Sequence, residues 1–351
     1  MRIGVQPAGA GVVARRLARL SVLALLVLVA TAWGQAPCAV CGRAIEGDYL
    51  QAGGQAYCSR ECYRTTLPVC AVCGQRIEGE HLVHEQRHFC STACFRRVLP
   101  TCVVCGQPLV ESFRIGGRTY CKTHAAAPRC DACGLPVNQG QTLPDGRLVC
   151  DECRPGLVFN ARLALPLYIR AGHALCLVSG QPLPLAPPFE LVGNNQLPAH
   201  GSLDPTVSIR ELGRYLRTAE TTTTKNVFGL VLRERTTVSR KLLILYGLPA
   251  DRFISTAVHE LTHDLLAERY PAFENAPDWA AEGICQYSAA LVCRRLGYAE
   301  RLKEIEAADD PVYGDGYRYM ARRFGVAGWG RLSRWLDSGG FKALPARAPG
   351  S

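Results

Sequence analysis

The segment STAVHELTHDLLAERY, residues 255–270, contains the motif His-Glu-x-x-His. On an α-helix, His259 and His263 lie four residues apart, so both imidazoles project from one face. Glu260 follows the first histidine directly, where a carboxylate could take a proton from a metal-activated water. The spacing predicts a zinc-binding helix with Glu260 as the catalytic general base and acid. The alternative is an ordinary amphipathic helix that carries two histidines.

A catalytic zinc needs a third protein ligand and keeps its fourth position for water. Glu282, 19 positions after His263, supplies a candidate. It lies in an apolar segment that we predict to be a helix from Asp278 to Gly297, and a turn before this helix would return the carboxylate to the metal. Glu274 is the rival acid, but it lies in a connection flanked by prolines.

Hydrolysis of a peptide bond also needs a donor for the developing oxyanion. The segment DDPVYGDGYRYM contains Tyr313, Tyr317 and Tyr319, and we take the first two as candidate catalytic residues. Gln286 and Asp264 could hold the metal ligands in place by hydrogen bonds.

Fifteen of the 18 cysteines fall between residues 38 and 153, in four repeats that each open with Cys-x-x-Cys-Gly. A second ligand pair follows each opening pair after a predicted hairpin. The candidate zinc ligands form four sets: Cys38, Cys41, Cys58 and Cys62; Cys70, Cys73, Cys90 and Cys94; Cys102, Cys105, Cys121 and His124; and Cys130, Cys133, Cys150 and Cys153. Because no ligand is left over, the repeats predict four tetrahedral zinc sites. We expect the small modules around these sites to present surfaces to protein partners.

The competing interpretation of these cysteines is a disulfide framework, which an exported protein would normally favour. The histidine in the third set and the zinc-finger spacing favour zinc. In the second repeat, three further histidines are expected to be solvated: His81, His84 and His88. The remaining cysteines are expected to be buried, inert thiols: Cys176, Cys285 and Cys293.

Residues 1–32 have the pattern of an export signal, or of an N-terminal anchor if they are not cleaved. Arg15 and Arg16, which loosely fit a twin-arginine signal, precede the apolar run LSVLALLVLVATAW. We therefore expect an exported protein that is periplasmic, secreted or membrane-anchored, with membrane contact only if the segment stays uncleaved. The formal charge of +10 falls to +6 without the four arginines of this segment, and no arginine-rich run interleaved with aromatics remains. Nucleic-acid binding is therefore not expected.

Three blocks of the sequence resemble the peptidase region of the ubiquitin-activated LIM-domain zinc metallopeptidases that restrict organ growth in plants. These blocks are LILYGLPADRFISTAVHELTHDLL, DWAAEGICQ and DPVYGDGYRYMARRFG. The third and fourth repeats resemble the zinc-binding stretch before that region. The resemblance implies that His259, His263 and Glu282 bind zinc and that Glu260 is the catalytic acid and base. The chain departs from the family in its longer links, such as the seven residues between Cys62 and Cys70, and in lacking an acidic ubiquitin-interacting helix.

The sequence thus predicts an α+β fold, in which a gluzincin-like zinc metallopeptidase domain follows four small LIM-like or treble-clef zinc modules. The predicted parts are 1–32 (signal or anchor), 38–100 (two zinc-knuckle repeats), 102–155 (two LIM-like modules), 156–250 (strands and loops), 251–340 (metal-binding helices) and 341–351 (tail). One catalytic and about four structural zinc ions follow from this interpretation. The alternative function is a zinc-stabilised protein-binding scaffold with an inactive peptidase-like domain.

Within residues 156–250, VFGLVL (227–232) and KLLILYGL (241–248) are predicted strands, and AETTTTKN (219–226) is a predicted exposed loop. We further hypothesise that KLLILYGL is an edge strand that pairs with extended substrate, because it lies just before the metal-binding helix.

Overall fold

The computed structural model describes residues 36–183, 186–197, 212–226, 228, 230–325 and 328–349. It divides into two units, with the boundary between residues 127 and 128. The predicted export signal or anchor at residues 1–32 lies outside the described residues.

The first unit contains the first three cysteine repeats, each built as an antiparallel hairpin followed by a short helix. These elements are β1 (Leu50–Ala52), β2 (Gln55–Tyr57) and α1 (Arg60–Thr66); β3 (Leu82–His84), β4 (Arg87–Phe89) and α2 (Thr92–Arg96); and β5 (Phe113–Ile115), β6 (Arg118–Tyr120) and α3 (Lys122–Ala125). Serine caps begin the first two helices, because Ser59 and Ser91 accept hydrogen bonds from the backbone N–H groups of Cys62 and Cys94.

The fourth repeat belongs to the second unit, whereas the sequence groups it with the third. Its hairpin consists of β7 (Gly140–Thr142) and β8 (Leu148–Cys150). Arg147 connects this repeat to the rest of the unit: its guanidinium lies 2.8 Å from Asp145 and 3.3 Å from Asp131, and it donates to the carbonyl of Tyr246 at 2.6 Å. Since the Arg147 side chain is only 5% exposed, this contact is part of the unit's interior.

A long helix follows the fourth repeat, where the sequence predicts only strands and loops. After β9 (Leu157–Val158), α4 runs from Ala161 to Ser179, with Asn160 as its cap and Gly180 in the left-handed conformation at its end. The prediction failed because apolar residues occur nearly all round this helix, so they show no helical repeat of 3.6 residues, and because Pro166 is typical of a break in a helix. By length and composition α4 could cross a membrane; 33% of its most apolar window is buried in the fold, where it packs against two later helices.

A three-stranded sheet follows, formed by β10 (Phe189–Val192), β11 (Gly213–Lys225) and β12 (Val231–Leu245) in the order β10-β12-β11. The strand predicted at KLLILYGL is confirmed over 241–245, and the one predicted at VFGLVL begins only at Val231. The predicted loop AETTTTKN is wrong up to Lys225: its exposed threonines belong to β11. Threonine is β-branched and favours strands, and each one pairs with a residue of β12.

The remaining elements are helical. They are α5 (Ala250–Arg269), which follows the short strand β13 (Leu248–Pro249), then α6 (Asp278–Leu296), α7 (Ala299–Glu306), α8 (Tyr313–Phe324) and α9 (Trp329–Asp337). The apolar face predicted for α5 is buried, and Gly297 ends α6 with φ of 76°, both as expected. The predicted tail at 341–351 begins inside the fold, since Phe341 is buried and Pro345 accepts a hydrogen bond from Trp279. The architecture is mixed α/β.

Candidate functional site

The structure brings together each of the four predicted sets of cysteine-module ligands. In every set, the four candidate ligand atoms lie within 4.8 Å of one another. Neighbouring sulfurs are 3.5–3.6 Å apart in the first two sets, far longer than a disulfide bond, and all 18 cysteines are free. His124 Nδ1 lies 3.1 Å from Cys121 Sγ and 3.5 Å from Cys102 Sγ. These clusters indicate four small zinc modules and argue against the disulfide framework.

The knuckle that opens each module has the same backbone geometry. Gly42, Gly74, Gly106 and Gly134 all have φ between 68° and 72°, a region that favours glycine. In the first module, backbone N–H groups, with that of Cys41 as the largest contributor, lower the pKa of the Cys38 thiol to about 6. The tight turn therefore favours the thiolate that binds a metal.

Two of the spare histidines in the second module are paired with each other, not solvated separately as predicted. His81 Nε2 lies 2.8 Å from His88 Nδ1, and His81 Nδ1 lies 3.2 Å from the carbonyl oxygen of Gly79. The third, His84, packs its ring against Phe95.

The other candidate site lies between α5 and α6. Glu282 Oε2 is 2.9 Å from His259 Nε2, and Oε1 is 3.4 Å from His263 Nε2. The side chains of His259 and Glu282 are 11% and 6% exposed, and that of His263 is 22% exposed. We call these three residues the helix site. The structure therefore brings the predicted ligands to one point, although 19 positions separate the glutamate from the nearer histidine.

The helix site fits a zinc ion by its donors and their spacing. Two imidazoles and one carboxylate are a donor set of hydrolytic zinc sites, and ligand atoms bonded at about 2.0 Å in a tetrahedron lie about 3.3 Å apart. The separations of 2.9 and 3.4 Å, each to a different oxygen of Glu282, are close to that value. On its open side, the helix site borders a cleft with a volume of about 250 Å³.

Glu260 lies in the wall of this cleft, and burial raises the pKa of its carboxyl group. The first residue of β11, Gly213, lies directly against it. A Cβ at Gly213 would stand 2.9 Å from Glu260 Oε1 and 2.8 Å from Thr256 Cγ2, so only glycine lets the strand approach this closely. The predicted base is therefore positioned by the edge of the sheet as well as by its own helix.

Tyr313 is the one predicted tyrosine among the residues that line the cleft, and its ring centroid lies 5.9 Å from that of His259. Asp310 fixes the start of α8 by accepting hydrogen bonds from the backbone N–H groups of Tyr313 at 2.6 Å and Gly314 at 3.1 Å. Further along, α6 and α8 cross where Gly283 meets Gly316, and a Cβ at Gly283 would lie 2.6 Å from the backbone of Gly316. This close crossing brings α8 to the helix that carries Glu282.

Several predicted roles need correction. The hydroxyl of Tyr317 donates to Glu306 at 3.3 Å, and Tyr319 packs against Trp279; neither residue lines the cleft. Asp264 accepts from Arg240 at 3.1 Å, so its carboxylate is engaged by the sheet. Spacing alone could not separate Tyr317 and Tyr319 from Tyr313, because different positions of one helix point in different directions.

Gln286 does not line the cleft, and its expected role in holding a metal ligand stays a prediction. The sulfur of Cys285 lies within 4.8 Å of a ring nitrogen of each histidine, so the three side chains form one cluster. The expectation of a buried thiol is confirmed, but its position beside the helix site was missed. The available signal was its spacing of three residues from Glu282.

No protein-family model matches the chain. Among curated proteins, the chain is similar to Protein DA1 from Arabidopsis thaliana, with 27% identity over 253 residues. The aligned region covers 57% of this chain and 47% of Protein DA1, so the chain spans about half the length of that relative. The similarity supports a distant relationship to Protein DA1, and together with the four clusters it indicates a zinc-binding protein.

Proposed function

We propose that the chain is a zinc-dependent metallopeptidase, with one hydrolytic zinc at the helix site and four structural zinc ions in the cysteine modules. The observation that carries the proposal is the convergence of His259, His263 and Glu282 beside the buried carboxylate of Glu260. A metal-binding scaffold has no use for such a carboxylate, whereas hydrolysis requires a base at this position.

When bound at the helix site, zinc would supply a water of lowered pKa and polarise the carbonyl of the scissile bond. Glu260 takes the proton of the attacking water and later delivers it to the leaving amine. Burial raises the pKa of Glu260, which makes its carboxylate a stronger base. Tyr313, at the start of α8 in the wall of the cleft, is placed to donate to the developing oxyanion.

The substrate is a protein or peptide in extended conformation, bound along the edge of β11. The earlier hypothesis assigned this role to KLLILYGL, but that segment lies in β12, which has β10 on one side and β11 on the other. In the part of the chain that the structure describes, β11 has a strand on one side only, and its residues 213–215 line the cleft. An extended chain paired there would pass the helix site.

The cysteine modules recruit a protein partner or the substrate itself. Four valines are exposed on the first three modules: Val40, Val69, Val103 and Val110. Exposed apolar side chains on small rigid modules suit protein contacts. We also propose that the protein works outside the cytoplasm, as the signal-like N-terminal segment suggests.

Replacement of the base tests the mechanism. Glu260→Gln is expected to keep the metal and lower kcat for a peptide substrate by about 10²–10⁴-fold, because the proton acceptor is lost. Glu274→Gln is the matched control, since Glu274 is an exposed acid in the connection between α5 and α6. Equal turnover by wild type and Glu260→Gln would refute the mechanism and favour the scaffold with an inactive domain.

Metal content tests the helix site separately. Wild type should bind about five zinc ions per chain and His263→Ala about four, because the mutant loses one ligand of a three-ligand site. A content of about four in both would show that the helix site does not hold zinc.

A further inference from the structure

We propose that Cys285 is a positioning residue of the helix site, whose thiol holds the imidazole of His263 in its metal-binding orientation. This inference rests on the proposed function and assigns a specific role to a residue that the mechanism does not use.

The position of the thiol follows from helix geometry. Glu282 and Cys285 are three residues apart on α6 and so project from the same face, toward α5. Cys285 is completely buried. The sulfur lies within 4.8 Å of donor nitrogens of His259 and His263. A thiol at this depth is thus part of the structure that surrounds the metal ligands.

The two histidines differ in what surrounds them. The ring of Tyr313 lies against His259, whose side chain is 11% exposed, whereas the side chain of His263 is 22% exposed. The terminal torsion of histidine is broad, so an imidazole that is less tightly packed needs a polar partner to fix its ring plane. Metal-binding histidines usually obtain this from a group outside the ligand set. Cys285 is a polar side chain beside His263, since its sulfur lies within 4.8 Å of a ring nitrogen of that histidine.

The chain contains a matched control for this thiol. Cys293 lies on the same helix and is also completely buried, but it does not belong to the cluster around the helix site. Replacing either cysteine with alanine removes one sulfur from the interior of the same helix. Only Cys285→Ala removes a contact with a proposed metal ligand, and Cys285→Ser restores a polar atom at that position.

The experiment compares the full chain with Cys285→Ala, Cys285→Ser and Cys293→Ala. Zinc affinity of the helix site is measured by competition with a chelator, while the cysteine modules stay loaded. We expect Cys285→Ala to weaken this affinity about 10–100-fold, as found when partners of metal-binding side chains are lost. Cys285→Ser should recover most of it, and Cys293→Ala should match wild type. Thermal unfolding checks that the two alanine variants are equally stable.

Cobalt at the helix site, with zinc kept in the modules, adds a spectroscopic test. The visible absorption of cobalt should change in Cys285→Ala and not in Cys293→Ala, because the ligand field depends on how His263 is held. Equal zinc affinity and equal spectra in Cys285→Ala and wild type would overturn the positioning role. A sulfur-to-cobalt charge-transfer band lost only in Cys285→Ala would also overturn it, since the thiol would then be a ligand. If wild type bound no metal at the helix site, the proposed function itself would fail.

Discussion

The cysteine modules and the helix site assemble metal ligands in opposite ways. Each module gathers four donors from one short stretch, such as residues 38–62, using a knuckle, a hairpin and the start of a helix. The helix site gathers three donors from two helices that come together only when the core of the second unit forms. Four donors close a zinc site, whereas three leave a position for water. For this reason the proposed function assigns the hydrolytic zinc to the helix site and structural zinc to the modules.

The two kinds of site also differ in their surroundings. In each module one cysteine is buried, one is exposed and the other two ligands are partly exposed, so the metal lies near the surface. At the helix site, the side chains of His259 and Glu282 are 11% and 6% exposed and that of His263 is 22% exposed, while the neighbouring Glu260 is 5% exposed. Low exposure strengthens electrostatic interactions and raises the pKa of Glu260. Burial of the base therefore belongs to the catalytic proposal and has no counterpart in the modules.

The largest effect should come from breaking the fourth module, which has its own small core but belongs to the same unit as the helix site. Cys133→Ser, in the fourth module, should lose one zinc and peptidase activity, and should lower the melting temperature of the second unit. Structural zinc in small fingers contributes about 10–16 kcal/mol of apparent binding free energy, which decides whether such a module folds. Arg147 and Asp131 of this module contact the helix-bearing part of the unit, since Arg252 of α5 donates to the carbonyl of Asp131.

Cys73→Ser is the matched variant in the first unit, because Cys73 is likewise the exposed second cysteine of its knuckle. It should also lose one zinc, but leave turnover of a short peptide unchanged. Zinc content, melting temperature and peptide turnover of both variants check the prediction. Equal loss of activity in the two would show that the fourth module has no special connection to the catalytic unit.

The same contrast explains what the sequence could predict. All sixteen module ligands were found because their spacing is local and repeated. The sequence could also place His259, Glu260 and His263 together, since one helix carries them, and Glu282 needed only one return helix; their catalytic roles stay a prediction. The partners of Tyr317 and Asp264 could not be read from spacing, because Glu306 of α7 and Arg240 of β12 reach them only through tertiary packing. The helix α4 was missed because apolar residues lie on its exposed face as well as on its buried face, so the sequence lacks the alternation of a surface helix.

A smaller effect concerns the cost of burying the base. In the folded protein the pKa of Glu260 is raised above its unfolded value near 4.3. Below about pH 4.3 the carboxyl group is protonated in both states, and folding then carries no cost of burying a charge. As the pH rises through the folded-state pKa, Glu260 ionises in the folded protein and the free energy of unfolding falls. Glu260→Gln cannot ionise, so at neutral pH it should be more stable than wild type, and the difference should vanish below about pH 4.

This comparison requires protein whose helix site has been emptied by mild chelation while the modules stay loaded, because a bound cation would favour the carboxylate. Chemical denaturation across the pH range measures the difference, and Glu274→Gln should follow wild type throughout. A Glu260→Gln variant that is less stable than wild type at neutral pH would mean that the carboxylate is stabilised by its neighbours. Glu260 would then be part of the structural interior, as each module cysteine is.

The smallest effect separates modules that otherwise look alike. Their hairpins turn through two residues with positive φ, which are Gly53-Gly54 in the first module and Gly116-Gly117 in the third. The second module has Glu85 and Gln86 there, with φ of 47° and 62°. Left-handed backbone costs a residue with a Cβ about 1–2 kcal/mol, and glycine costs about 0.5–1 kcal/mol in chain entropy. Gln86→Gly should therefore stabilise the second module, by less than about 1 kcal/mol. Thermal unfolding of the zinc-loaded chain measures this gain in stability. A loss of stability would show that a contact of the Gln86 side chain stabilises the module by more than its left-handed backbone destabilises it. Peptide turnover should not change, because this hairpin belongs to the unit that does not carry the helix site.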